Sequence, residues 1–283
     1  MYMDINEQTI EVSGDQYLND HFKKYETANF APVNNDFFKF LPASTYGIAS
    51  LNLNLDESYN MGYDIYSHVL SRMRIERDFD YSGILDMVDM FINKDMLLET
   101  FEGDALVALT GTSTLIGTKR TYEYDTLTYQ STMVTKPDTS TIPELITFFT
   151  IKNKDNFTRF LSALDKLKVV KFNNGVYTFD MEYGYESSSE KQMKRMWTMG
   201  YEGNVFYLTN SSEAKAKGHL LKANDTDKMN KEMLSILKSN GNSMYYDHTA
   251  GMNLFPLDQI DDNDMAGALG LSTKYFKNAQ ILQ

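Results

Sequence analysis

The sequence predicts an α+β fold: a largely antiparallel sheet with helices packed on one face. Three compact apolar runs, at 46–53, 105–110 and 145–151, are the first observation behind it. Each is too short for a buried helix, is bounded by turn or cap residues, and is rich in Ile, Leu, Val and Phe, as buried strands are. The second is that amphipathic helical stretches alternate with these runs. The third is a faint internal duplication, in which strand, helical segment and Gly-led strand pair occur once before residue 141 and once after. The boundaries that follow are a first α+β half over 1–140, carrying a hairpin insertion at 111–141, and a second half over 141–283, the two sharing one sheet.

Taken in order, Tyr2–Asn6 and Thr9–Ser13 alternate around Asn6-Glu-Gln and read as a hairpin. Residues 34–41 form a capped helical turn that stops at Pro42, and the first apolar strand follows. Asp56 or Ser58 caps a helix over 59–73, where Met61, Ile65, His68, Val69 and Arg72 recur at helical spacing. A second helix spans 82–92 with Ile84, Leu85, Val88, Phe91 and Ile92 on one face, and a short third covers 95–101. The central strand starts after the turn at Gly103-Asp104, with Val107 in the core.

Beyond it, Gly111–Thr141 is rich in Thr, Ser and Tyr and has little to bury. It reads as a protruding hairpin or mobile loop, the internal segment most open to proteases, with a linker at Pro137–Pro143. The third strand leads into a helix over 154–167 with Phe157, Phe160, Leu161, Leu164 and Leu167 inward. Asn173-Asn-Gly175 turns the chain into a strand at 176–181. A hairpin of 193–201 and 204–209 closes at Glu202-Gly203, a helix runs over 226–237 to Ser239-Asn-Gly241, and a strand occupies 244–248. The tail holds an acidic loop, 258–264, and ends at 275–282, where Tyr275-Phe-Lys-Asn278 echoes Tyr17-Leu-Asn19.

Composition narrows the function classes. With 283 residues the chain can bury a sizeable core without metal or disulfide staples. A net charge of -12 disfavours nucleic acid and anionic membrane surfaces, whose phosphates need a basic face. There is no cysteine, which removes disulfides, thiolate nucleophiles and thiolate metal sites together and is as compatible with the cytoplasm as with the cell envelope. No apolar run reaches the roughly 20 residues that span a bilayer, so a soluble chain is expected.

Catalytic signatures are missing. His21, His68, His219 and His248 have neither each other nor carboxylates at ligand spacing, and each is best read as a structural or surface histidine, with His68 the one expected to be buried. No Gly-x-Ser-x-Gly elbow occurs. Gly111–Lys119 superficially follows a phosphate loop, but its lysine is out of place and strand formers follow it. Asp258, Asp261, Asp262 and Asp264 make the one dense carboxylate cluster, a weak calcium or magnesium candidate without the glycine and glutamate of a helix-loop-helix site; a solvated loop explains it better, and no cofactor is expected. Asn156, Asn210 and Asn224 head N-glycosylation patterns. Trp197, Tyr201, Tyr183 and Tyr185 are the binding candidates, as an aromatic platform for sugars, although cross-strand packing accounts for them more simply.

The stretches from Phe40 to Leu53, from Leu98 to Gly111 and from Phe148 to Phe157, with the leucine-rich helix after the last, resemble the uncharacterised envelope lipoproteins of domain of unknown function 4836, in element order from about 38 to 260. The resemblance implies a periplasmic or surface-exposed envelope protein, lipid-anchored in a longer precursor. The lipid-attachment cysteine and export signal of such proteins are missing from this sequence, as in a fragment, and no catalytic residue carries over. The expected function is a non-enzymatic interaction or ligand-binding surface for a protein or glycan partner. The alternatives are a hydrolase-type enzyme with a dispersed site, and a glycan or small-ligand binder.

Overall fold

The computed structural model describes residues 2–5, 10–13, 23–25, 27, 31–42, 45–72, 94–173, 175–183, 191–210, 231–239, 242–252 and 278–282. The protein mixes helices with a large antiparallel sheet. Among the described residues, strands β1 (Tyr2–Ile5) and β2 (Ile10–Ser13) pair only with each other, as the N-terminal alternation predicts. The main sheet comprises β3 (Gly47–Asn52), β4 (Phe101–Tyr124), β5 (Ser131–Ile151), β6 (Lys171–Asn173), β7 (Val176–Tyr183), β8 (Lys191–Glu202), β9 (Val205–Thr209), β10 (Ser243–Asp247) and β11 (Asn278–Leu282). Its order is β11-β10-β3-β4-β5-β9-β8-β7-β6. The three apolar runs are thus adjacent, as expected of one sheet.

Strand alternation divides the apolar residues between two faces. Ile48, Leu106, Ala108, Ile146, Phe148, Val205, Tyr207 and Tyr245 form the first face, under Val33, Phe37, Phe38, Phe40 and Leu41. Those covering residues lie in and around a 3-10 helix, Asn35–Phe40, whose Asn34 cap accepts from the Asp36 N–H. Met233 of the helix Lys231–Ser239 joins the same cluster. The second face offers Phe149, Phe206, Met199, Tyr177 and Leu208, covered by Phe157 and Leu161 of the helix Lys154–Lys166. Helical cover therefore comes from both sides, which corrects the expected one-face packing. The reason is local: β5 runs through the Asn153 cap, which accepts from Asp155 and Asn156 N–H, straight into a helix that folds back over the face opposite Phe148.

Val107 belongs to this second face and is 36% exposed, so the core residues of β4 are its neighbours Leu106 and Ala108. The reading of Val107 as central fails because an apolar run on a half-covered sheet still alternates. In the helix 154–166 the buried residues are Phe157 and Leu161, with Leu164 partly buried beside them; Phe160 flanks them and Leu167, at the C-cap, is exposed. The helix Leu55–Arg72 is capped by Asn54, whose side chain accepts from Glu57, and not by Asp56 or Ser58. His68 on that helix is exposed, against expectation. A short helix, Lys94–Thr100, precedes β4 and another, His248–Met252, follows β10. The expected helix over 82–92 lies outside the described residues.

A polar tie fixes the 3-10 segment to the sheet. Asp104, 7% exposed, accepts from the Asn34 backbone at 2.8 Å and the Thr150 hydroxyl at 2.9 Å, while the Asn34 amide donates to Thr150. One loop residue, Asn34, is thereby tied to one residue of each central strand, Asp104 of β4 and Thr150 of β5, through a single carboxylate oxygen, Oδ2.

Candidate functional site

β4 and β5 continue far beyond the core as one two-stranded hairpin, in register from Gly111↔Glu144 to Tyr124↔Ser131. Threonine, tyrosine and valine suit such a ribbon. Between Leu109 and Gly111 the register slips by one, leaving Thr110 as the extra residue. A bulge of this kind swaps the two faces of the strand. Before it, Leu106 and Ala108 point into the first core; after it, Leu115 is buried while Ile116, Tyr122 and Tyr124 face solvent. Met133 stands opposite Tyr122 and is also exposed.

The tip is a tight turn. Asp125 accepts from the backbone N–H of Leu127 at 2.8 Å and of Thr128 at 3.3 Å, its own N–H donates to Gln130, and Tyr129 takes a left-handed conformation, φ 56°. These donors, the Leu127 N–H first, hold the Asp125 carboxyl below the usual carboxylate range. The turn sets Leu127 90% exposed, between Tyr124 and Tyr129, whose rings meet edge to face. Of the charged residues along the hairpin, Glu123 and Lys136 neutralise each other at 2.6 Å.

Pro137 and Pro143 sit inside β5, so the expected linker is a strand. Odd-numbered residues of β5 direct their N–H away from β4, as Leu145 shows by donating to Asn210. Both prolines therefore fall where a donor would face outward, which is how an edge strand tolerates them and resists pairing with other chains.

At the root of the hairpin the ladder between β5 and β9 stops, and Asn210 takes over its hydrogen bonds: the side chain accepts from Leu145 N–H and donates to the Pro143 carbonyl, both at 2.8 Å. The Thr209 hydroxyl donates to the Leu145 carbonyl. Arg195 of β8 donates through Nε to the Asn210 carbonyl and lies 3.5 Å from Glu144, whose side chain is 4% exposed. β4 also pairs β8, through Gly117–Lys119 and Lys191–Met193, so β4, β5, β9 and β8 form a closed circuit of neighbours.

Among the platform candidates, Trp197 and Tyr201 share one face of β8, on either side of Met199. Trp197 stacks on Phe179 across to β7, and Tyr201 packs edge-on against Phe157 at 5.4 Å while staying half exposed. Tyr183 is a residue of β7, in register with Met193, and Tyr185 lies outside the described residues. Asp258, Asp261, Asp262 and Asp264 also lie outside them, as do His21 and His219. Among the described residues no group of three or more His, Asp or Glu could hold a metal ion. Gly111–Lys119 is wholly strand, with no helix to receive a phosphate. Of the glycosylation patterns, Asn210 is buried with its amide nitrogen engaged, and Asn156 stands in the first turn of a helix. An open polar groove of about 590 Å³ runs along the helix 55–72, where Lys24 and the Tyr25 hydroxyl meet Asp64.

Sequence reasoning missed Glu144 and Arg195, and read Asn210 as a glycosylation acceptor where its side chain instead bonds Leu145 and Pro143. It also missed Ile116, Leu127 and Met133, whose solvent exposure follows from the bulge and the tip turn.

Tyr246 on β10 carries a pH-dependence. Its ring lies against Gly47 and Gly251, and burial, then the Asp247 carboxylate, raises its hydroxyl above the ordinary 10.0. A raised folded-state value leaves stability full below 10.0 and erodes it as pH climbs past 10.0 and through the folded value. In denaturant melts, Tyr246→Phe is expected to lose less stability than the wild type on going from about pH 9 to about pH 11. Identical losses would assign the alkaline effect elsewhere.

No helix among the described residues is long and apolar enough to cross a membrane. No protein family, curated protein or solved structure matches the chain.

Proposed function

We propose that the protein is a non-enzymatic interaction protein of the cell envelope, which presents the solvent face of the β4–β5 hairpin to a protein or glycan partner. The observation that carries this reading is the run of exposed large apolar residues along one ribbon: Ile116, Tyr122, Tyr124, Leu127, Tyr129 and Met133. None is needed to close a core, and scattered singly they would call for no explanation. Gathered on a hairpin that projects from a well-packed sheet, they form a patch of the kind that marks interaction sites. Tyrosine and threonine together suit it, since the ring supplies contact area at low entropic cost and hydroxyls adapt to the partner. The envelope placement rests on the resemblance to domain of unknown function 4836.

A second reading, glycan binding at β8, is favoured by Tyr201, which is half exposed beside Phe157 and on the same face as Trp197. One screen separates the two. The purified chain is tested against glycan, metabolite and envelope-protein panels beside a Tyr122→Ser/Leu127→Ser/Tyr129→Ser variant and a Trp197→Ala variant. The hairpin reading expects binding to vanish in the triple variant with an unchanged melt, because these side chains contribute little to the core. Binding lost only with Trp197→Ala would move the site to β8, and catalytic turnover would overturn the non-enzymatic reading.

A further inference from the structure

We infer that Glu144, Arg195 and Asn210 form a latch at the root of the hairpin, and that the contact of β4 with β8 depends on it. That contact has three residue pairs, Gly117↔Met193, Thr118↔Gln192 and Lys119↔Lys191, and Gly117 brings no side chain to it. So short a pairing is marginal without support from packing. Among the described residues, the outer edge of β5 along the hairpin has no strand partner, so no ladder on that side supports the contact.

The root does. Asn210 replaces the ladder where β9 ends, and Arg195 bridges from β8 to the Asn210 carbonyl and to Glu144 on β5. The Thr110 hydroxyl, at the bulge, donates to the Glu144 carbonyl. The end of β9, the root of β5, the bulge of β4 and the middle of β8 are thereby joined through one part-buried, charge-assisted group. The Glu144 carboxylate is buried and the Arg195 guanidinium partly so, and removing one partner of such a pair costs more than removing both. The latch sets the direction in which the hairpin leaves the sheet. Its functional consequence, that releasing it weakens partner binding, rests on the hairpin reading above; the latch itself does not.

The test is amide hydrogen exchange on the full chain for the wild type, Glu144→Gln, Arg195→Met, Arg195→Lys and the double variant Glu144→Met/Arg195→Met. Each single variant is expected to speed exchange at 117–119 and 191–193 about tenfold or more, with amides at 105–109 in the core nearly unchanged. The double variant should return part of that protection, since the two charges of the pair are removed together. Should Arg195→Met not fold, Arg195→Lys gives the same reading, because lysine keeps the charge but loses the planar fork. Unchanged exchange at 117–119, or a rise there no larger than in the core, overturns the latch. Faster exchange at the closure with partner binding intact upholds the latch and counts against the hairpin reading alone.

Discussion

Phe148→Ala is expected to cost about 3–5 kcal/mol, the range for emptying a fully buried phenylalanine site. Phe148 has no exposed surface and stands on β5, next to β4 at the centre of the sheet. Its ring stacks on Phe37 at 5.8 Å and on Phe40 at 6.2 Å, so it is the contact through which the 3-10 segment is seated. Loss of the ring removes the transfer term and leaves a cavity that the rigid strands on either side cannot close. A sharp fall in denaturation midpoint measured by far-UV dichroism checks it. Val107→Asp, on the half-open face, should cost far less than Leu106→Asp, which puts a charge where there is no exposure at all. Equal effects at the two positions would undo the assignment of faces.

The second large effect belongs to Gly103→Ala, expected to destabilise by roughly 2–5 kcal/mol, from backbone strain and overpacking together. Gly103 has φ +100°, a conformation that side chains rarely adopt, and an added Cβ would clash with the Leu53 carbonyl oxygen. The approach is close because Leu53 N–H donates to the Gly103 carbonyl, bringing the end of β3 onto the start of β4. The next residue, Asp104, anchors Asn34, so strain at 103 should spread to the polar tie and the 3-10 segment. A melt of Gly103→Ala compared with Gly175→Ala separates crowding from backbone conformation, since Gly175 also has positive φ but open space around its Cβ position. The account expects Gly103→Ala to be clearly the worse.

Glycine at 200 shows the same physics in a strand. Its cross-strand partner Tyr207 lays its ring over the empty site, with the hydroxyl 2.5 Å from where a Cβ would be. Nothing in the sequence around Gly200 signals that arrangement, because the two residues meet only through the register of β8 with β9.

That contrast runs through the whole molecule. β3, β4 and β5 were readable because each concentrates its apolar residues within a single short segment, and the Glu202-Gly203 turn was readable because its chemistry is local. Strand β6, Lys171–Asn173, is exposed throughout and leaves no pattern to find. Pro137 and Pro143 read as a linker because their tolerance depends on which edge of β5 faces outward, a property of the sheet and not of the segment. The hairpin from 111 to 141 was legible as a protrusion, from its lack of material to bury. Its solvent face was not, since the bulge at Thr110 decides which residues look outward. Arg195 and Glu144, 51 positions apart, are brought together by the order β5-β9-β8 in the sheet.

Site-specific photo-cross-linking in cells shows whether the hairpin meets a partner, with a photoreactive residue placed in turn at Tyr122 of β4, at Leu127 in the tip and at the exposed control position Glu102 of β4. The account predicts an adduct of one defined mass from Tyr122 and Leu127 and none from Glu102. Adducts from all three positions alike, or from Glu102 alone, would contradict it.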